Sequence, residues 1–280
     1  MMIQDIYPHK LNNQYDTSAI AEAEDRVLLF DGQKVLARTD GQLAFPKVAD
    51  FGPDTDLNFR YLFSIDQERY FLPEADAKDV DLPEGYAFCD MKQIREAETP
   101  PKYRVFASCT GKHLSDWYRD TRFCGRCGSK MEHSATERAK VCPCCHYTAY
   151  PRIMPAVIVG VTNGDKLLLT KYRLGYNHNA LIAGFTEIGE TVEETVSREV
   201  MEEAGIRVKN IRYYKSQPWG YANDILMGYY CDVDGDDTIH MDRVELKFAE
   251  WTAREDIVLQ PDESSLTNEM MKRFKDGLPT

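Results

Sequence analysis

Residues 184–206 read GFTEIGETVEETVSREVMEEAGI, and the reading of this stretch decides the fold. Val192, Val196 and Val200 recur at every fourth position, which predicts a helix over 191–204 with one apolar stripe. Gly205 ends it, because a glycine takes the left-handed C-terminal cap without a Cβ penalty. At about 100° per residue, Glu199, Glu202 and Glu203 spread over an arc of about 100° beside the valines. Carboxylates three and four residues apart on a helix repel one another unless cations sit among them. Hard oxygen donors clustered in this way suit Mg2+ or Mn2+, and Mg2+ is commonly shared between a few carboxylates and substrate phosphates. A glutamate run is otherwise a solvated helix face, and Glu193 and Glu194 fit that plainer reading.

The spacing is more specific than the helix. Gly184, five residues, Glu190, seven residues, then Arg198-Glu199-Val200-Met201-Glu202-Glu203-Ala204-Gly205-Ile206 fill every position of G-x5-E-x7-R-E-U-x-E-E-x-G-U, with U apolar. The stretch resembles the Nudix box of nucleoside-diphosphate-X hydrolases. Upstream, the continuous apolar run Ile153–Val161 reads as a buried strand. Asn163-Gly164-Asp165 turns it into Lys166–Thr170, a hairpin signal. A polar loop after Arg173 leads to Leu181-Ile-Ala-Gly184 and the box. Downstream, Val208–Ser216, Ile225–Asp232 and Phe248–Thr252 read as strands and Ser265–Lys275 as a closing helix. Strands on both sides of an acidic helix, with a second helix at the end, predict an α/β/α sandwich with a mixed sheet. The resemblance implies the same layout.

Before the box, Cys124-Gly-Arg-Cys127 and Cys142-Pro-Cys-Cys145 give C-x2-C-x14-C-x2-C. Four thiolates from two such knuckles surround one Zn2+ tetrahedrally, with no open position, so the expected zinc is structural. Cys144 is the spare thiol, since a register through it gives C-x-C, a poorer chelate loop. The mixed charges of this segment, from Arg126 to Lys140, form no basic stripe for nucleic acid.

After the box comes Ser216-Gln217-Pro218-Trp219. Ribbon, box and SQPW in this order resemble the NADH pyrophosphatase (NAD+ diphosphatase) branch of the Nudix hydrolases, over about residues 114–280. In that branch SQPW continues as P-F-P-x-S; here it continues Gly220-Tyr221-Ala222-Asn223-Asp224, a departure that touches substrate ranking rather than reaction class. The resemblance implies divalent-metal-dependent hydrolysis of the pyrophosphate bond of NAD(H), giving NMN(H) and AMP. Removal of the NAD cap from RNA 5′ ends and a broader dinucleotide or ADP-ribose pyrophosphatase are the alternatives. A non-enzymatic NAD-sensing domain is a further one, disfavoured by the intact box. The implied Mg2+ or Mn2+ ligands are Glu199, Glu202, Glu203 and Glu245. The implied substrate contacts are Phe185, stacking on nicotinamide, with Glu137, Tyr150, Ala183, Gln217 and Trp219. Arg198 and Glu190 are expected to pair and hold the loop against the helix. The branch also implies a homodimer.

The chain has 280 residues, 43% hydrophobic and 29% charged, and its net charge of −12 argues against general affinity for a nucleic-acid backbone or an anionic membrane. MMIQDIYPHK has no apolar h-region and no run is long enough to span a bilayer, so the expected location is the cytoplasm. The first hundred residues are less informative. Arg26–Phe30, Lys34–Ala37, Phe59–Ile65, Arg69–Leu72 and Tyr86–Asp90 read as short strands between turn signals, Met91–Ala97 as a short helix and Tyr103–Tyr118 as a longer one. The expected class is α+β: a mostly β domain over 1–113, a zinc ribbon over 114–152 and the Nudix sandwich over 153–280.

Overall fold

Short alternating runs punctuated by Asp-Gly turns make the beginning of the chain a set of small β elements. The computed structural model describes residues 2–53, 55–97, 99–175 and 177–280. Its contacts divide it into two units, one of Gln4–Arg152 with Gly220–Asn223, the other of Met1–Ile3, Ile153–Trp219 and Asp224–Thr280.

In the first unit the strands are β1 (Leu11–Asn12), β2 (Arg26–Val27), β3 (Phe30–Asp31), β4 (Lys34–Ala37), β5 (Phe59–Ile65), β6 (Glu68–Pro73) and β7 (Ala87–Asp90). They form two sheets, ordered β1-β5-β6-β2 and β3-β4-β7. The run Arg26–Phe30, expected as one strand, is two, because the chain leaves the first sheet and enters the second at the buried pair Leu28-Leu29. Two helices follow, α1 (Met91–Glu96) and α2 (Lys102–Asp120). Gly111 sits inside α2 at a helix-weakening cost because a Cβ there would lie 2.4 Å from Cδ1 of Leu28. The division expected at 113/114 falls within α2. The ribbon is a small sheet, β10-β9-β8, of β8 (Glu132–His133), β9 (Lys140–Val141) and β10 (Thr148–Ala149).

The second unit is built on β11 (Met154–Asn163), β12 (Lys166–Tyr172), β13 (Ile182–Phe185), α3 (Val192–Ala204), β14 (Val208–Trp219), β15 (Asp224–Val233), β16 (Leu246–Ala253) and α4 (Leu266–Lys275). Of the polar loop after Arg173, Tyr176 lies outside the described residues. The sheet order is β14-β15-β11-β12-β16 with β13 also on β11; β11 and β15 run parallel and the other pairs antiparallel, so the sheet is mixed. Side chains alternate across β11 with the period of a strand. Val157, Val159 and Val161 pack with Val196 and Val200 of α3, while Ile158 packs with Leu266 and Met270 of α4. The sheet is therefore sandwiched between the two helices, in the expected α+β class. Strand β14 runs three residues beyond Ser216, and Pro218 is tolerated there because β14 is an edge strand. The four-residue β13 was not expected, being too short to show a period. Among the described residues no helix is long and apolar enough to cross a membrane.

Candidate active site

The site is built on α3. Thr191 caps it: the Thr191 hydroxyl accepts from the Glu194 amide at 3.2 Å, and the Glu194 carboxylate accepts from the Thr191 amide at 2.7 Å. Glu194 is thus half of a capping box rather than only a solvated charge. Gly205 closes the helix at φ +69°, the left-handed cap the sequence predicts. With Val196 and Val200 fixed against the sheet, the adjoining arc of α3 must carry Glu199, Glu202 and Glu203.

Arg198 ties the box together. Its Nε and Nη2 donate to the two oxygens of Glu190 at 2.6 and 3.0 Å, and Nη2 also reaches the Phe185 carbonyl at 2.9 Å. Its Nη1 donates to Glu199 at 2.7 Å and to Glu202 at 2.9 Å. One guanidinium thus pins the loop 185–190 to the helix and neutralises two of the three clustered carboxylates. The Arg198 bond holds the Glu190 carboxyl down at about 2.

Glu199 is seated by Gly184: a Cβ built there would lie 2.0 Å from the Glu199 carboxylate, so only glycine admits that side chain. Burial raises Glu199 above the usual carboxylate range although Arg198 opposes it. Glu203 differs. It is 2% exposed, accepts from the Tyr172 hydroxyl through Oε1 at 3.3 Å, and among the described residues its buried Oε2 has no hydrogen-bond partner. Burial, then the charges of Glu199 and Glu245, push Glu203 up to about 8 against the pull of the Ala183 amide. Glu245 itself is exposed, in the turn before β16. A register shift places it. Lys171 pairs with Phe248 but Tyr172 with Leu246, and the Arg173 amide then donates to the Glu245 carbonyl at 2.9 Å. Such bulges re-aim side chains beside active sites.

A buried carboxylate with an orphaned oxygen and two carboxylate neighbours must hold a proton or, as an anion, have a cation against it. Among the described residues only the four cysteines bring their ligand atoms close enough together to share an ion as they stand; Glu199, Glu203 and Glu245, with Glu202 outermost, offer hard oxygens, the donor type that divalent cations take.

The remaining expected residues are placed as follows. Phe185 is 49% exposed and pairs with Ala156 at the end of β13, whose Ala183 pairs with Ile158. Trp219 ends β14 opposite Asp224. Gln217 is fully buried; its amide nitrogen donates to the Ser264 carbonyl at 2.9 Å and its oxygen accepts from the Leu266 amide at 2.8 Å, so it anchors the start of α4. Tyr172 is an addition from the structure, and Asp224 is the residue that ends the departure after SQPW. Asp224 is 5% exposed, has an unpartnered Oδ1 among the described residues, and is pushed up to about 7 by burial. No motif or period in the sequence singles out Tyr172.

In the first unit, Glu137 and Tyr150 meet, the phenol donating to the carboxylate at 3.1 Å. The sulfurs of Cys124, Cys127, Cys142 and Cys145 all lie within 4.8 Å of one another, with Cys124–Cys145 at 3.6 Å and Cys127–Cys142 at 3.4 Å. A disulfide would need about 2.05 Å, whereas ligands about 2.3 Å from a tetrahedral zinc sit about 3.8 Å apart. The donors therefore fit a structural zinc. Cys144 is exposed and outside the group.

Residues 152–274 match the NUDIX domain family, which agrees with the sandwich and the box helix. Residues 119–150 match the NADH pyrophosphatase zinc ribbon domain. The chain thus contains a Nudix domain preceded by a zinc ribbon domain of the NADH pyrophosphatase type. It is 40% identical over 163 residues to the NAD-capped RNA hydrolase NudC of Yersinia pestis (strain Pestoides F), covering 58% of this chain and 62% of that protein. The NudC of Yersinia pseudotuberculosis serotype O:1b matches with the same values. The matched region thus spans less than two thirds of these relatives. The crystal structure of a NUDIX hydrolase from Nitrosomonas europaea superposes with a TM-score of 0.50 at 23% identity, over 57% of this chain and 95% of that one, which supports the fold alone.

Proposed function

We propose that the protein is a divalent-metal-dependent diphosphatase that cleaves the pyrophosphate bond of NAD(H) to NMN(H) and AMP. The observation that carries this reading is Glu203: a carboxylate 2% exposed, with an orphaned Oε2, set beside Glu199 and within reach of the charge of Glu245. Such a group is stable as an anion only with a cation against it. A divalent cation such as Mg2+ or Mn2+ held there would supply charge against the phosphates and acidify a water at neutral pH.

The chain's own residues do the rest. Glu199, Glu202, Glu203 and Glu245 would hold the cation. Arg198 and Glu190 keep the loop 185–190 fixed, so that Phe185 presents its ring to nicotinamide. Trp219 supplies a second aromatic surface, and Ala183 completes the substrate contacts of this unit. Glu245, exposed at the rim, accepts the proton of the attacking water at its carboxylate. In-line attack on one phosphorus then expels the other phosphate.

A second reading keeps the same bond. The Yersinia relatives are named NAD-capped RNA hydrolases, and a cap carries the same pyrophosphate, so removal of NAD from RNA 5′ ends is the alternative substrate. We place the enzyme in the cytoplasm and read it as a homodimer. Incubation of the zinc-loaded protein with NADH and Mn2+ or Mg2+ tests the reading: NMNH and AMP in equal amounts are expected. Absence of turnover on NADH, NAD+ and NAD-capped RNA alike overturns it.

A further inference from the structure

Tyr172 ends β12 on the α3 side of the sheet. Leu168 of the same strand packs with Val196 and Val200, and residues two and four further on face the same way. The register shift between Lys171 and Tyr172 then brings this residue to the corner where the turn carrying Glu245 begins. Its hydroxyl donates to Oε1 of Glu203 at 3.3 Å. The carboxylates nearest it, Glu203 and Glu199, carry only acceptors when ionised, and Arg198 donates to the second of them. Tyr172 brings a neutral donor among them, and it engages one oxygen of the most buried carboxylate while the other oxygen has no partner among the described residues.

We infer that Tyr172 is a positioning residue for the divalent cation, holding Oε1 of Glu203 so that Oε2 is presented as the ligand atom. The inference rests on the reading of Glu203 as a metal ligand. A carboxylate on a helix swings about its side-chain torsions unless a second contact fixes it, and hydrogen bonds to ligating carboxylates are what orient them. A merely space-filling Tyr172 would need its ring and not its hydroxyl. Tyr172→Phe separates the two roles, since it keeps the ring and removes only the donor.

Mn2+ binding to the full-length, zinc-loaded protein, followed by the electron paramagnetic resonance signal of free Mn2+ without substrate, is the test. Tyr172→Phe is expected to weaken Mn2+ binding about tenfold, with zinc content and Mn2+-free melting temperature retained. An unchanged dissociation constant overturns the inference. Glu203→Gln run in parallel tells the two failures apart. If it binds Mn2+ as the wild type does, the assignment of the site falls. If it loses Mn2+ while Tyr172→Phe does not, only the role of Tyr172 falls. Should Tyr172→Phe fail to fold, ortho-fluorotyrosine at 172 carries the test through its stronger phenol donor. A changed Mn2+ affinity is then expected and an unchanged one overturns the inference.

Discussion

Two clusters of side chains, the ribbon cysteines and the carboxylates of α3, differ in character. In the ribbon, four sulfurs from two local knuckles already stand 3.4 to 3.6 Å apart in their closest pairs, near the spacing a bound zinc imposes. On α3 the carboxylates are held apart: Arg198 occupies Glu199 and Glu202, while Glu203 is buried with an oxygen left over. The first group has no place for a substrate. In the second, one guanidinium offsets the charge of two carboxylates and leaves the third to the cation proposed above. A closed all-protein set serves folding and an open, hard-oxygen set serves chemistry.

The comparison breaks most sharply at the cysteines. Cys142→Ser is expected to lose zinc completely and to lower the melting temperature, because site formation and folding are coupled. Cys144→Ser is expected to lose neither. Metal analysis of both variants decides, and equal zinc loss in the two would mean that the sulfurs brought together here are the wrong set.

Next in size is the helix. Glu199→Gln and Glu203→Gln keep shape and helix propensity but remove an anionic ligand, and kcat is expected to fall at least about a hundredfold. Near-normal turnover in the folded variants would end the carboxylate half of the comparison. Zinc content should stay unchanged, whereas a shared loss would mean that the two groups are not independent.

Asp224 sharpens the contrast as a buried carboxyl outside the metal set. Its pKa in the folded protein, about 7 through burial, lies above the ordinary 3.8. The folded state therefore holds a proton that the unfolded state has lost, and stability falls as pH rises from about 4 to about 7. Discounted for residual solvent, the effect is on the order of 2 kcal/mol. Asp224→Asn is expected to melt higher than the wild type at pH 8 and equally at pH 4. Mn2+ should stabilise the wild type and Asp224→Asn alike but not Glu203→Gln. Thermal melts at both pH values, with and without Mn2+, read this out.

The smallest effect concerns substrate. A second stacked ring contributes on the order of 1 kcal/mol, so kcat/KM for NADH or NAD+ should exceed that for ADP-ribose several-fold, with no useful activity on nucleoside triphosphates. The Gly220–Asn223 turn lacks the prolines of the family pattern, which broadens the range of dinucleotides expected. A tenfold preference for ADP-ribose in steady-state assays would remove nicotinamide stacking from the mechanism while leaving the metal helix standing.

The sequence by itself determined what depends on neighbours along the chain. The valine stripe, the Gly205 cap, the two knuckles and the hairpin at Gly164 are set by local period and turn chemistry, and each stands where its residues predict. The pairing of Arg198 with Glu190 was legible for the same reason, since eight residues of loop and helix bring them together. Tertiary structure alone decided what depends on which strands become neighbours. Strand β13 exists because β11 offers it a partner, and the turn bearing Glu245 reaches the helix because a bulge shifts β16 by one residue. Tyr172 meets Glu203 across 31 positions of sequence, and Gln217 lies buried against α4 because the parity of an edge strand points it there. Burial is a property of the assembled sheet, and so it pushes Glu203 up to about 8, whereas the Arg198 bond holds Glu190, an identical residue of the same motif, down at about 2.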